Sequence, residues 1–120
     1  MITKLRIYAT TKTDPHLNLA TEKHLMDITK PGECLLYLWQ NKNTVVIGKN
    51  QNAWLECRTS LLEEEGGKLS RRLSGGGAVY HDEGNLNYTY ISLATEGGTL
   101  DFAAFSKPIV EALASLGVNA

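Results

Sequence analysis

The chain has only two cysteines and three prolines, and 12 Lys and Arg stand against 13 Asp and Glu for a net charge of −1. Each shortage removes a class of function. Cys34 and Cys57 have neither the tight spacing of a zinc knuckle nor the density of a disulfide scaffold, and both are expected to be reduced and packed. Balanced charge provides no general field to gather nucleic acid or an anionic membrane, so any anion site must be local. No segment approaches the ~18 apolar residues of a membrane span, and the opening Met1-Ile2-Thr3-Lys4-Leu5-Arg6-Ile7 lacks the apolar stretch of a signal peptide. A cytoplasmic chain without membrane contact is expected. No carboxylate or thiol cluster accompanies His16 and His24 at ligand spacing, so no metal site is expected there.

The 120 residues are 42% hydrophobic, enough for one domain with a modest core, and no repeat, linker or low-complexity tract divides them. Glycine, in contrast, is concentrated. The segment from Arg71 to Asn87 holds Arg71-Arg72, then Gly75-Gly76-Gly77, then Ala78-Val79-Tyr80-His81. Residues without a β-carbon let backbone N–H groups approach a ligand closely, and guanidiniums beside them add fixed positive charge. Such a segment can hold a phosphate or a carboxylate. A glycine run alone also suits a flexible turn and an arginine pair a solvated face. Here, however, the glycines lie between strand-like runs, Lys68 to Leu73 before them and Ala78 to Tyr80 and Asn87 to Leu93 after, where conformational freedom needs a reason.

Periodicity places the remaining elements. Leu5, Ile7 and Ala9 alternate with Lys4, Arg6 and Tyr8, which predicts a half-buried opening strand. Asp14-Pro15 reads as a helix cap followed by proline at the first turn, with a helix to about Thr29 burying Leu17, Leu25 and Ile28. Cys34 to Trp39 and Thr44 to Ile47, separated by Gln40-Asn41-Lys42-Asn43, predict a β-hairpin. A helix is expected from Cys57 to Glu65, its Glu63-Glu64-Glu65 run solvated, with a stop at Gly66-Gly67. Phe102, Phe105, Ile109, Ala112, Leu113 and Leu116 form an amphipathic stripe, interrupted by Pro108 and ended by Gly117. The pattern supports an α+β domain, and closeness in sequence favours antiparallel pairing over repeated βαβ units.

Three blocks, taken together, resemble the lipoate protein ligase family. They are Asp14-Pro15-x-x-Asn18-Leu19-Ala20-x-Glu22; Leu38-Trp39-Gln40-Asn41 with Thr44 to Asn52 and Glu56-Cys57; and Arg72-Leu73-Ser74-Gly75-Gly76-Gly77-Ala78-Val79-Tyr80-His81-Asp82 with Gly84-Asn85. They occur in family order across almost the whole chain. The resemblance implies a mixed, largely antiparallel sheet flanked by helices, part of the biotin and lipoate ligase fold. It also implies a two-step reaction: lipoate attacks the α-phosphate of Mg2+-bound ATP to give lipoyl-AMP, and a lysine of an acceptor protein then takes the acyl group. The acceptors implied are lipoyl domains of 2-oxoacid dehydrogenase complexes and the glycine cleavage H protein.

By the same resemblance Arg72, Gly77, Ala78, Val79 and Tyr80 bind the nucleotide and acyl-adenylate, Gly75 and Gly76 allow the loop's close approach, and Ser74 contributes a hydroxyl. His81 approaches either the adenylate or the acyl tail. Trp39 and Val46 are candidates for the wall of an apolar lipoate pocket, a role that Trp39 shares with simple core packing. The family's catalytic lysine, on a Lys-x-Ser-Gly type segment, is expected beyond Ala120, and neither Lys49 nor Lys68 stands at its motif position. Residues 1–120 are therefore expected to be the N-terminal portion of a single catalytic domain, inactive alone, or one subunit of a split ligase whose second chain brings the lysine. An octanoyl or lipoyl transferase acting through Cys34 or Cys57 is the alternative, although neither thiol has a recognisable activating partner.

Overall fold

The computed structural model describes residues 2–93 and 102–120. The first unit runs from strand β1 (Lys4–Ala9) through helix α1 (Pro15–Ile28) to strand β2 (Glu33–Trp39). Strand β3 (Thr44–Ile47) begins the second unit, followed by short helices α2 (Ala53–Glu56) and α3 (Thr59–Glu64) and strand β4 (Lys68–Arg71). Strands β5 (Val79–His81) and β6 (Asn87–Ser92) and helix α4 (Phe102–Ser115) complete the order.

The strands form two three-stranded sheets, β1-β2-β6 and β4-β3-β5. Each has one parallel and one antiparallel pairing: β1 with β2 and β3 with β4 are parallel, β2 with β6 and β3 with β5 antiparallel. The α+β reading with mixed sheets between helices holds, but antiparallel pairing does not predominate among the described residues. The helices explain this. A connection of a dozen or more residues that includes a helix can cross over and return the next strand in the same direction, so β1-α1-β2 and β3-α2-α3-β4 are βαβ units.

The expected hairpin is likewise corrected, since β2 and β3 belong to different sheets. The link between them is not a simple solvated turn: Asn41 is fully buried, Lys42 N donates to Thr13 O, and Asn43 adopts a φ of 42°. Helix α1 begins as expected, with the Asp14 side chain accepting from the amides of His16 and Leu17. Its buried face differs from expectation: Pro15, Asn18 and Leu25 are buried, while Leu17 and Ile28 are exposed. Polar Asn18 turns inward because it finds partners there, described below. The helix expected from Cys57 to Glu65 is present as α3, shorter by a residue or two at each end, and a separate short helix, α2, precedes it and ends before Cys57.

On β2 the side chains of Leu35, Tyr37 and Trp39 face α1 and, with Leu25 and Ile91, make the core. Val46 and Ile47 are buried in the second sheet. Strand β1 is present but not half-buried: all six residues are exposed, because the strand pairs only with β2 at the sheet's edge. Helix α4 keeps Pro108 within it, and Gly117 at a φ of 81° ends it through hydrogen bonds from Gly117 N to Ala114 O and Val118 N to Leu113 O.

Candidate functional site

Strand β4 ends by handing the chain to the glycine loop, and β5 takes it up again on the other side of β3. The loop therefore crosses the end of β3. Lys49 N donates to Ser74 O at 2.9 Å, and Arg71 Nη1 donates to the carbonyls of Gly48, Lys49 and Gln51, so Arg71 secures the neighbouring turn. Arg72 has a different task. Its Nε and Nη2 donate to Gly75 O at 3.1 and 2.9 Å, and Nη2 also donates to Gly77 O at 2.6 Å.

That arrangement orients the loop's amides. In a trans peptide the C=O and the following N–H point in opposite directions. With Gly75 O and Gly77 O turned to the guanidinium, the N–H groups of Gly76 and Ala78 point away from it. Among the described residues neither donates to a protein acceptor, so both are available to an anion. Gly76 has a φ of 101°, a conformation that glycine adopts freely.

Beside the loop lies a cavity of about 250 Å³, lined by Leu19, Glu22, Trp39, Val46, Arg72, Ser74, Val79, His81 and Asn87. Its size falls just below the ~300 Å³ at which small-molecule pockets commonly begin. Both sheets, α1 and the loop contribute walls. Trp39 is clamped in place: it stacks on Tyr37 at 5.9 Å, meets the His81 ring edge-on at 6.0 Å, and its Nε1 donates to Thr89 Oγ1 at 3.1 Å. Thr89 in turn donates to Glu22 Oε1 at 2.7 Å. Burial, reinforced by the charge of Arg72, lowers the pKa of His81 and favours its neutral form.

Of the residues singled out in the sequence, Trp39, Val46, Arg72, Ser74, Val79 and His81 meet on this cavity. Gly75, Gly76, Gly77 and Ala78 stand beside it as loop backbone. Tyr80 does not join them: alternation along β5 turns its ring away from Val79 and His81, and its hydroxyl donates to Asn43 Oδ1 at the surface. Leu19, Glu22 and Asn87 complete the lining without having been assigned roles from the sequence. A signal for the helix residues existed: Asn18, Glu22, Leu25 and Thr29 recur at helical spacing and mark the inward face of α1.

Neither cysteine lines the cavity. Cys34 alternates with the core residues of β2, and burial pushes its thiol pKa up, which disfavours the thiolate a transferase would need. Among the described residues no group of three or more His, Cys, Asp or Glu side chains converges on a metal position. An Mg2+ ion accompanying a nucleotide takes phosphate oxygens and water as its main ligands, so it needs no such cluster. Among the described residues no helix is long and apolar enough to cross a membrane.

Two mixed sheets flanked by helices, with a glycine loop crossing the end of the second beside a small cavity, are the architecture of the biotin and lipoate ligase fold. The family profile described as the lipoyl protein ligase A/B catalytic domain matches residues 14–120, and the chain belongs to that family. It is 44% identical over 117 residues to a lipoate-protein ligase A of Psychrobacter cryohalolentis, covering 98% of this chain and 34% of that protein. The chain thus spans about a third of that relative's length.

Solved structures agree. LipL1 of P. falciparum, in complex with lipoate, superposes with a TM-score of 0.80 at 31% identity, covering 92% of this chain and 36% of that one. A lipoate-protein ligase A bound with ATP gives 0.80 at 26% identity over 99% of this chain and 49% of its own. The bi-partite lipoate protein ligase of Thermoplasma acidophilum, studied with its E2 lipoyl domain, gives 0.80 at 27% identity, covering 100% of this chain and 48% of that chain.

Proposed function

We propose that this chain carries the acyl-adenylate-binding part of a lipoate protein ligase, in which lipoate and ATP form lipoyl-AMP before the acyl group passes to a lysine of a lipoyl domain. Residues 1–120 form the N-terminal portion of that catalytic domain, and the lysine that completes transfer comes from outside them. The observation that carries this reading is the Arg72-oriented loop, which directs the free amides of Gly76 and Ala78 outward beside an apolar cavity. Relatives bound to lipoate and to ATP support the two ligands. The Thermoplasma ligase, bi-partite and studied with its E2 lipoyl domain, supports a lipoyl-domain acceptor and a ligase built from two parts.

The chemistry suits the residues. Carboxylate and triphosphate are both anions, so their approach requires fixed donors that stabilise charge on the phosphate. The loop amides and Arg72 supply those donors, while Trp39, Val46, Val79 and Leu19 offer apolar surface to the acyl chain. Binding of a lipoyl-adenylate analogue, with sulfamate in place of the phosphate, tests the proposal in a thermal melt. At 100 times its Kd such a ligand stabilises the folded state by ~2.7 kcal/mol, so the melting temperature rises by several degrees. An unchanged melt with saturating analogue would overturn the reading, as would an equal rise with free adenosine.

A further inference from the structure

Beneath the cavity lies a buried polar chain that joins α1, the β2–β3 link and β5. Asn18, Asn41 and Tyr37 are almost wholly inaccessible and His81 nearly so. One side-chain atom of Asn18 contacts Lys12 O at 3.0 Å and Gln40 O at 2.8 Å. Carbonyls only accept, so that atom is the amide nitrogen, Nδ2. Asn18 Oδ1 correspondingly accepts from the Tyr37 hydroxyl at 3.3 Å, and burial pushes that phenol up to about 12, which keeps it a donor.

The assignment then propagates. Asn18 Nδ2, sharing its two hydrogens among three acceptors, also reaches Asn41 at 3.0 Å, and because a second amide nitrogen there would set donor against donor, the atom it meets is Oδ1. Asn41 Nδ2 is left facing His81 Nδ1 at 3.1 Å, and an amide nitrogen can only donate. His81 Nδ1 therefore offers a lone pair. A neutral imidazole carries one proton, which must sit on Nε2. The ring lines the cavity beside Arg72 and Ser74, and among the described residues no protein acceptor meets its Nε2–H.

We propose that Asn41, oriented by Asn18, is a positioning residue that locks His81 as the Nε2–H tautomer, making His81 a hydrogen-bond donor to an acyl oxygen in the cavity and not a general base. The identity of that ligand rests on the ligase reading; the tautomer does not. The chemistry requires a donor at this point. A lone pair on Nε2 would face the lone pairs of a carboxylate or an acyl carbonyl and repel them, whereas an N–H stabilises the charge those oxygens carry.

The test is 15N–1H correlation spectroscopy of the imidazoles in the full 120-residue chain, with the His81 signals assigned by their loss in His81→Gln. The free chain should show a protonated Nε2 and an unprotonated Nδ1, and the Nε2–H resonance should move downfield on adding the sulfamate analogue. In Asn41→Asp an acceptor-only carboxylate replaces the donor. His81 should then carry a proton on Nδ1, and analogue binding should weaken on the order of tenfold. A protonated Nδ1 of His81 in the free wild-type chain would overturn the proposal whatever binds. Analogue bound with His81 Nε2–H unmoved would overturn the donor role. The assigned tautomer without analogue binding supports the Asn41 lock and counts against the ligase reading alone.

Discussion

A β-carbon at Gly48 would lie 2.2 Å from the carbonyl oxygen of Gly76, a distance no side chain can occupy, because the glycine loop runs directly over the end of β3. The atom in the way is backbone, so relief requires moving the loop. At Gly76 the constraint is doubled: φ is 101°, and a β-carbon would meet Arg72 Nη2 at 2.7 Å. Gly75 and Gly77 are different, since a β-carbon at either meets nothing within 4 Å and neither has a positive φ. The fold itself does not require glycine at either position, whereas the close approach of a ligand on the proposed reading would. Gly48→Ala is therefore expected to destabilise the chain by about 1–3 kcal/mol, as overpacking does. Gly75→Ala should leave stability within roughly 0.5 kcal/mol and yet weaken binding of the adenylate analogue. Melting curves and calorimetric titration of the two variants measure both quantities, and an equal loss of stability in both would refute the distinction. The triple glycine and Arg72 were legible in the sequence because unusual residue types announce unusual backbone. Asn18 and Asn41 were not, since an asparagine in a helix or a polar link looks solvated until tertiary contacts supply buried partners for its amide.

Among the elements, α1 shows how a local signal acquires a distant partner. Asp14 caps the helix through His16 N and Leu17 N and also meets the ammonium of Lys68 at the start of β4. The cap was readable from Asp14-Pro15, whereas Lys68 lies 54 residues away in sequence, beyond the reach of pattern. Lys68 first, and then the Leu17 amide, hold the Asp14 carboxyl at about 2, below its ordinary 3.8. A carboxylate with a depressed folded-state pKa contributes stability that is complete above its unfolded value and is lost as pH falls through the folded one. The contribution of Asp14 is thus present above about pH 4 and drains away toward about pH 2. Asn caps a helix as well as Asp does, so Asp14→Asn removes the charge while keeping the cap. Over that interval its melting temperature should fall less than that of the wild type, and parallel curves would show that the ion pair contributes nothing. Strand pairing was less legible than capping. The strands were placed closely, but the parallel β1–β2 and β3–β4 ladders follow from crossovers through α1 and through α2–α3, and the short 40–43 link hides a change of sheet.

For the molecule as a whole, the radius of gyration is 16.0 Å, above the roughly 13.6 Å expected of a compact 120-residue domain. Two apolar surfaces lie open on it. On the first sheet, the face opposite α1 carries the cross-strand rows Leu5–Cys34, Ile7–Leu36–Tyr90 and Ala9–Leu38–Tyr88, with β1 at the open edge. Ile7 is 65% exposed. Helix α4 and the residue after it hold the second surface, with Phe105, Val110 and Leu116 exposed, and among the described residues the helix packs extensively on none of the strands. An apolar sheet face ending in an unpaired edge strand is a template for association, because another chain can cover the face and satisfy the edge at once. The 120-residue chain alone is therefore expected to self-associate as its concentration rises, with an apparent mass in sedimentation equilibrium that climbs above 13.2 kDa. Ile7→Lys places a charge on that edge where the side chain is already solvated, so the fold should tolerate it while association weakens. The cavity lies on the other side of the first sheet, against α1 and the loop, so analogue binding by this variant should match the wild type. A mass independent of concentration in the wild type would show that the exposed face does not drive association.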